Sequence, residues 1–141
     1  MVTILKPAPY NERMSASKAN PQFQCSVRVQ YLPEQSKPPE GPYAFSYTVT
    51  IRNTGDIAAQ LVARHWVVTD AHGEVDNVRG LAVVGHQPVL KPGEEFEYTS
   101  WTRLATTHGR MEGTFFCMTE DAHAFNANVA PFELVFPGLL H

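Results

Sequence analysis

Apolar and polar residues alternate along several short stretches of this chain. In residues 23–31, Phe23 and every second residue after it are apolar, and the residues between them are polar; residues 43–51 repeat the pattern from Tyr43. A period of two sends successive side chains to opposite faces of a strand. Each stretch therefore predicts a β-strand with one face toward a core and the other toward water.

Later stretches predict further strands that differ in their burial. Residues 58–69 form a nearly continuous apolar run, which is typical of a central strand. Pro131 cannot donate to a strand ladder, so it is expected to separate the last two strands. The additional strands are predicted over residues 74–78, 96–101, 111–118, 124–129 and 132–136.

These strands define the fold class. No window of twelve residues sustains an apolar stripe at helical spacing, so the chain is predicted to be all-β. The number and length of the strands favour an immunoglobulin or fibronectin type III-like antiparallel β-sandwich of about seven or more strands, with a small barrel as the alternative. Residues 1–21 predict a flexible N-terminal arm, and residues 22–141 a single domain.

Composition narrows the classes of partner. The 141 residues carry a formal charge of -3, which does not favour binding to a nucleic acid backbone. No apolar run approaches the ~18 residues of a membrane-spanning helix, and the N-terminus does not read as a signal peptide. Cys25 and Cys117 have no CxxC spacing and are expected to be buried thiols. We expect a cytoplasmic protein with no membrane association.

Several long, ordered motifs carry a family resemblance. Residues 64–73 read RHWVVTDAHG, residues 91–100 read KPGEEFEYTS, and the chain closes with PGLLH. From roughly residue 23 to residue 141, the chain resembles the bacterial ApaG family. The resemblance implies a fibronectin type III-like sandwich, which agrees with the strand pattern.

The functional implications of this resemblance concern binding. Similar bacterial proteins are associated with magnesium and cobalt transport phenotypes, and are commonly encoded beside a diadenosine tetraphosphate hydrolase. Eukaryotic relatives are domains of F-box and polymerase-interacting proteins. The resemblance therefore implies protein–protein interaction and a link to divalent cation homeostasis, and it implies no catalytic residue.

The glycine motif of the family is incomplete here. Its GxGxxG pattern falls on residues 80–85, which read GLAVVG, so Ala82 replaces the middle glycine. The methyl group of Ala82 lies where pyrophosphate would approach the backbone, and no helical pattern follows. Gly80 and Gly85 therefore favour a bulge or turn. A backbone-amide nest for phosphate, with Arg79 as its counter-charge, is the alternative.

Candidate metal and catalytic groups are scattered. The histidines form no HxH or HExxH pair, so no metal site and no cofactor are predicted. Cys117 shares the parity of Phe115 and is expected on the core face, while Ser100 lacks a GxSxG motif. We expect no enzymatic activity. The six histidines are His65, His72, His86, His108, His123 and His141.

Trp101 is a candidate partner-binding residue. It has the opposite parity from Tyr98 and lies close to Arg103, and an exposed Trp with Arg is a typical interface anchor. A second core face covered by loops is the alternative. His86 and Gln87, in the loop over residues 79–88, are the other candidate partner contacts.

Two functional hypotheses follow from the sequence. The leading hypothesis is a non-enzymatic module that recognises another protein, with a homodimer through an edge strand as a further possibility. The alternative is a sensor for a nucleoside polyphosphate or its divalent cation complex, bound through the loop from Gly80 to Gly85.

Overall fold

The computed structural model describes residues 19–81, 83 and 85–140. In this part of the chain the alternating stretches form eight β-strands, and two short 3-10 turns cover Pro33–Gln35 and Pro137–Leu140. The strands are β1 (Phe23–Tyr31), β2 (Tyr43–Asn53), β3 (Ala59–Asp70), β4 (Val75–Leu81), β5 (Val89–Leu90), β6 (Glu95–Leu104), β7 (His108–Thr119) and β8 (Ala124–Val135).

Two antiparallel sheets build the sandwich. The smaller sheet has the order β1-β2-β6, and the larger has the order β4-β3-β7-β8 with β5 added beside β3. This arrangement confirms the predicted fold, including the central place of the apolar strand β3. The sheets leave β4 and β6 at open edges, whereas β1 and β8 lie beside each other, with the rings of Phe23 and Phe125 5.3 Å apart.

The core forms from the inward-facing rows of both sheets. Trp66 lies within it, with its ring centroid 5.4 Å from that of Tyr47 and 5.8 Å from that of Phe115. Gly113 lies opposite Trp66 on β7, and a side chain there would overlap the Trp66 ring. The expected core positions of Trp66, Tyr47 and Phe115 are thus confirmed.

The prediction that Pro131 separates two strands is wrong. Residues 124–135 form one strand, β8, which pairs along β7 with a register shift between Met111 and Gly113. β8 is an edge strand, and an edge strand tolerates a proline because one side of its backbone has no neighbouring strand to which an N–H group would donate. The bulge also absorbs the local distortion, which allows the strand to continue through Pro131.

The predicted N-terminal arm lies mostly outside the described residues, which begin at residue 19. The described part is attached to the turn between β2 and β3: the Asn20 amide donates to Asp56 Oδ1 at 2.7 Å, and the Gly55 amide donates to the Gln22 carbonyl at 3.0 Å. None of the described residues forms a helix long and apolar enough to cross a membrane.

Candidate functional site

The outer face of the three-stranded sheet is polar and internally paired. The Thr48 and Thr99 hydroxyls are 2.8 Å apart, and Thr50 donates to Glu97 at 3.0 Å. Arg28 lies 3.7 Å from the same Glu97 carboxylate. Such cross-strand pairs stabilise the sheet and leave few groups unsatisfied for a ligand.

Trp101 lies on this polar face. It is 57% exposed, which agrees with its predicted parity, and the Arg103 guanidinium carbon lies 4.9 Å from its ring centroid. Both residues line a shallow pocket of about 420 Å³ beside Leu32 and Gln35. Trp101 is thus a single exposed apolar side chain among polar neighbours.

The outer face of the larger sheet carries a contiguous apolar row. Leu81 on β4 is directly opposite Ala63 on β3, which is directly opposite Phe116 on β7. Leu81 is 74% exposed and Phe116 is 39% exposed. Directly opposite residues have Cβ atoms about 5 Å apart, so the three side chains form one patch across three strands.

Basic side chains border this apolar row. Arg79 and His65 are paired across β4 and β3 in the next row of the face, and the His65 Nε2 atom lies 2.8 Å from Asn77 Oδ1. We call Ala63, His65, Arg79, Leu81 and Phe116 the β4 surface. Together with Arg64, Gly80 and Thr114 they line a shallow pocket of about 560 Å³, and none of these described lining residues is acidic.

Arg64 holds β4 from the inner side of the pocket. Its Nη1 atom donates to the Leu81 carbonyl at 3.1 Å, and a Cβ atom added at Gly80 would lie 2.9 Å from the same nitrogen. Gly80 therefore makes room for the guanidinium. Sequence reasoning did not select Arg64, because its role depends on the register that brings it opposite Gly80.

The predicted phosphate-binding residues occupy two different elements. Arg79 and Gly80 are part of strand β4, whereas Gly85 has a φ of +81° and lies in a turn that Val83 and His86 close through two backbone hydrogen bonds. Gly85 thus adopts the turn conformation that its sequence context favours. Between Gly80 and Gly85, Ala82 and Val84 lie outside the described residues.

Gln87 forms hydrogen bonds within the fold. Its Nε2 atom donates to the Val62 carbonyl at 2.9 Å, at the bulge in the pairing of β3 with β7, and its own carbonyl accepts from Gln60 at 3.1 Å. The His86 ring lies 6.1 Å from the Phe96 ring. These contacts attach the β4–β5 loop to the edge of the sandwich.

The candidate residues therefore do not form one site. Trp101 and Arg103 lie on the outer face of one sheet, and Arg79 lies on the outer face of the other. Sequence reasoning missed Leu81 and Ala63 as surface residues. Phe116 could have been found from its outward parity on β7.

The two thiols are held in their protonated form. Burial raises the pKa of Cys117 to about 12 and that of Cys25 to about 11. Burial likewise raises the pKa of the Tyr98 hydroxyl. Among the described residues, no group of three or more His, Cys, Asp or Glu side chains could hold a metal ion.

Comparisons with known proteins agree on one family. Residues 33–119 match the ApaG domain. The chain is 57% identical to Protein ApaG of Ralstonia nicotianae over 115 residues, which cover 82% of this chain and 93% of that protein. It is 51% identical to Protein ApaG of Azotobacter vinelandii over 120 residues, covering 85% and 95% of the two chains.

Solved structures agree with the fold. The crystal structure of a Bordetella pertussis protein described as ApaA matches with a TM-score of 0.81 and 48% identity, covering 83% of this chain and 95% of that one. A β-glucuronidase from Bacteroides uniformis matches with a TM-score of 0.52 and 13% identity, covering 78% of this chain and 13% of that one. The second likeness concerns the fold alone.

Proposed function

We propose that this chain, which belongs to the ApaG family, is a non-enzymatic module that binds another protein through its β4 surface. The partner presents a segment with apolar and acidic side chains. The module acts by binding alone, on a rigid sandwich whose outer faces recognise the partner.

The observation that carries this proposal is the composition of the β4 surface. Leu81 and Phe116 expose apolar area in one contiguous row, and Arg79 and His65 border that row. An apolar centre with a polar rim is the usual anatomy of a protein interface. By contrast, Trp101 is a single apolar residue on a polar face, so we assign it a secondary role.

The chemistry of the thiols supports a binding role over catalysis. A cysteine nucleophile acts as a thiolate with a low pKa. Cys117 is fully buried and has a pKa of about 12, so it remains a thiol at neutral pH. It contributes to the core as a small apolar side chain.

A matched pair of variants tests the proposal. Leu81→Asp places a carboxylate in the exposed apolar row, and Trp101→Asp makes the same change on the other sheet. The measurement is the fraction of the protein that elutes as a complex from extracts of cells that naturally contain it. We expect Leu81→Asp to lower that fraction about tenfold or more, as loss of an interface anchor does, and Trp101→Asp to leave it within about twofold.

Thermal unfolding of both purified variants serves as the control for folding. The opposite result, with the complex lost only in Trp101→Asp, would move the interface to the other sheet. Elution of the native chain as a monomer alone would contradict the proposal.

The link to magnesium and cobalt homeostasis is part of this proposal as an effect of the complex. Cells that carry Leu81→Asp should then have the same cobalt tolerance as cells that lack the protein. Wild-type cobalt tolerance in Leu81→Asp cells that have lost the complex would separate the cation phenotype from the β4 surface.

The three basic side chains of the pocket favour a second candidate function. Arg64, His65 and Arg79 line a space of about 560 Å³, which suits a nucleoside polyphosphate or its divalent cation complex. Amide chemical shifts measured with diadenosine tetraphosphate, magnesium and cobalt test this sensor. Saturable shifts at residues 64, 65 and 79–88 would support it, and constant shifts at millimolar ligand would exclude it.

A further inference from the structure

We propose that the partner docks at the β4 side of the β4 surface, as an additional antiparallel strand paired with the free edge of β4, presenting an apolar side chain opposite Leu81 and an acidic one opposite Arg79. The inference rests on the proposed function and specifies its geometry. It assigns recognition jointly to the β4 backbone and to four side chains of that strand.

β4 is the least protected edge of the sandwich. Within the described residues it pairs with β3 alone, in an uninterrupted register from Ala63↔Leu81 to Thr69↔Val75. Half of its backbone N–H and C=O groups therefore point away from the sheet. Exposed edges of this kind accept extended segments from other chains.

The other three edges carry features that oppose strand addition. β8 contains Pro131 and a bulge, and β1 lies beside β8. β6 carries charged side chains at Glu95, Glu97 and Arg103. By contrast, β4 has no proline, lysine or bulge, and its two charged residues are Asp76 and Arg79.

The outward row of β4 fixes the side chains of the incoming strand. Val75, Asn77, Arg79 and Leu81 share the outer face, and Val75 and Leu81 are exposed apolar residues. In an antiparallel pair, the first outward residue of the partner meets Leu81, and the next three meet Arg79, Asn77 and Val75 in turn. The matching seven-residue segment has apolar residues at positions 1 and 7 and Asp or Glu at position 3.

Charge complementarity selects an acidic residue at position 3. Arg79 and His65 are adjacent on this face, and the described lining of the pocket contains no carboxylate. A like charge directly opposite Arg79 is unfavourable, and an opposite charge is favourable. Antiparallel pairing also continues the pattern of every strand pair in the described sheets.

The test is an array of capped seven-residue peptides with threonine at even positions and varied residues at odd positions, probed with the whole protein. We expect position 3 to prefer Asp or Glu over Lys by about fivefold, and positions 1 and 7 to prefer apolar residues. Arg79→Glu should reverse the preference at position 3, while Arg103→Glu on the other sheet should leave it unchanged. Two further peptide sets carry N-methyl groups on the even residues or on the odd residues, whose N–H groups point to opposite edges of a strand. N-methylation of the residues that face β4 should abolish binding, and N-methylation of the other residues should not.

Several results would overturn this inference. The first is a position 3 preference that Arg79→Glu does not alter. The second is binding that tolerates both sets of N-methyl groups. The third is self-association of the free chain that Leu81→Asp abolishes, with no peptide selected, because a second copy of the chain would then occupy the edge in place of a separate partner. If the native complex still depends on Leu81 while the array selects nothing, the proposed function stands and only this inference fails.

Discussion

Asp121 closes the hairpin between β7 and β8 through its side chain. The Thr119 hydroxyl donates to its carboxylate, and His123 Nδ1 lies 3.1 Å from the same oxygen. The hydrogen bond from Thr119, followed by that from His123, lowers the pKa of Asp121. The resulting stability is complete above the unfolded pKa of about 4 and is lost as the pH falls through the lower folded value.

Replacement of this carboxylate should therefore have a pH-dependent effect. We expect Asp121→Asn to lower the melting temperature slightly at pH 7 and to approach the native curve as the pH falls through the lowered pKa of Asp121. Melting curves between pH 2 and pH 7 measure this, with Asp76→Asn as the exposed control. A difference that is the same at every pH would contradict the assigned role of the charge.

Asn53 is a buried amide that joins two segments of the chain. Its Nδ2 atom donates to the carbonyls of Ile57 and Leu90, each at 2.9 Å, and its Oδ1 atom accepts from the Gly55 amide at 2.9 Å. The side chain thereby attaches the turn between β2 and β3 to β5. Truncation would leave the carbonyls of Ile57 and Leu90 without this donor, whereas the Gly55 amide keeps its bond to the Gln22 carbonyl.

We predict that Asn53→Ala lowers the free energy of unfolding by about 2 kcal/mol, since two carbonyls lose a donor and each buried unsatisfied group costs about 1 kcal/mol or more. Urea unfolding measures the change. Asn126→Ala, on the exposed face of β8, should change it by less than about 0.5 kcal/mol. Equal effects of the two substitutions would show that the amide network contributes little.

Two glycines on the strands that flank β3, Gly80 on β4 and Gly113 on β7, have different neighbours. Gly113 lies against the buried ring of Trp66, whereas Gly80 lies against the guanidinium end of Arg64. A rigid ring inside the core cannot move aside, but the end of an arginine side chain can. The same substitution therefore has different consequences on β7 and on β4.

At the scale of strand packing, we predict that Gly113→Ala destabilises the protein by about 2 kcal/mol through overpacking. Gly80→Ala should cost less than about 1 kcal/mol, because Arg64 can shift. Chemical denaturation of both variants gives the comparison. A cost for Gly80→Ala that matches or exceeds that for Gly113→Ala would refute this account of the two contacts.

Individual elements show what the sequence could and could not predict. Alternation identified most strands and their inward faces, because it depends only on neighbours along the chain. The continuity of β8 through Pro131 depends on its place at a sheet edge, which alternation does not encode. The bond from Gln87 to the Val62 carbonyl depends on a bulge between distant strands.

The candidate site has the same limitation. Arg79 was selected from its position beside the glycine motif, but Leu81 and Ala63 become neighbours of Phe116 only through strand register. For Trp101 the sequence left an exposed position and a second core face open; the residue is exposed, yet its sheet faces away from Arg79. Sequence reasoning therefore identified residues on two opposite faces of the sandwich. It could not show that they lie on different sheets, because that depends on strand pairing.

The outer face of the three-stranded sheet is polar and internally paired, and the outer face of the larger sheet, on the opposite side of the core, carries the β4 surface. The protein carries a formal charge of -3, so the basic character of the β4 surface is local. This asymmetry predicts that a partner contacts one sheet and leaves the other in solvent.

Site-specific photo-crosslinking in cells that naturally contain the protein tests this claim most directly. A benzophenone side chain is placed at Leu81 in one variant and at Thr48, on the outer face of the other sheet, in a second. We predict a discrete crosslinked protein from position 81 and at least about fivefold less of it from position 48. Equal yields from the two positions, or crosslinking from position 48 alone, would contradict a docking surface on β4.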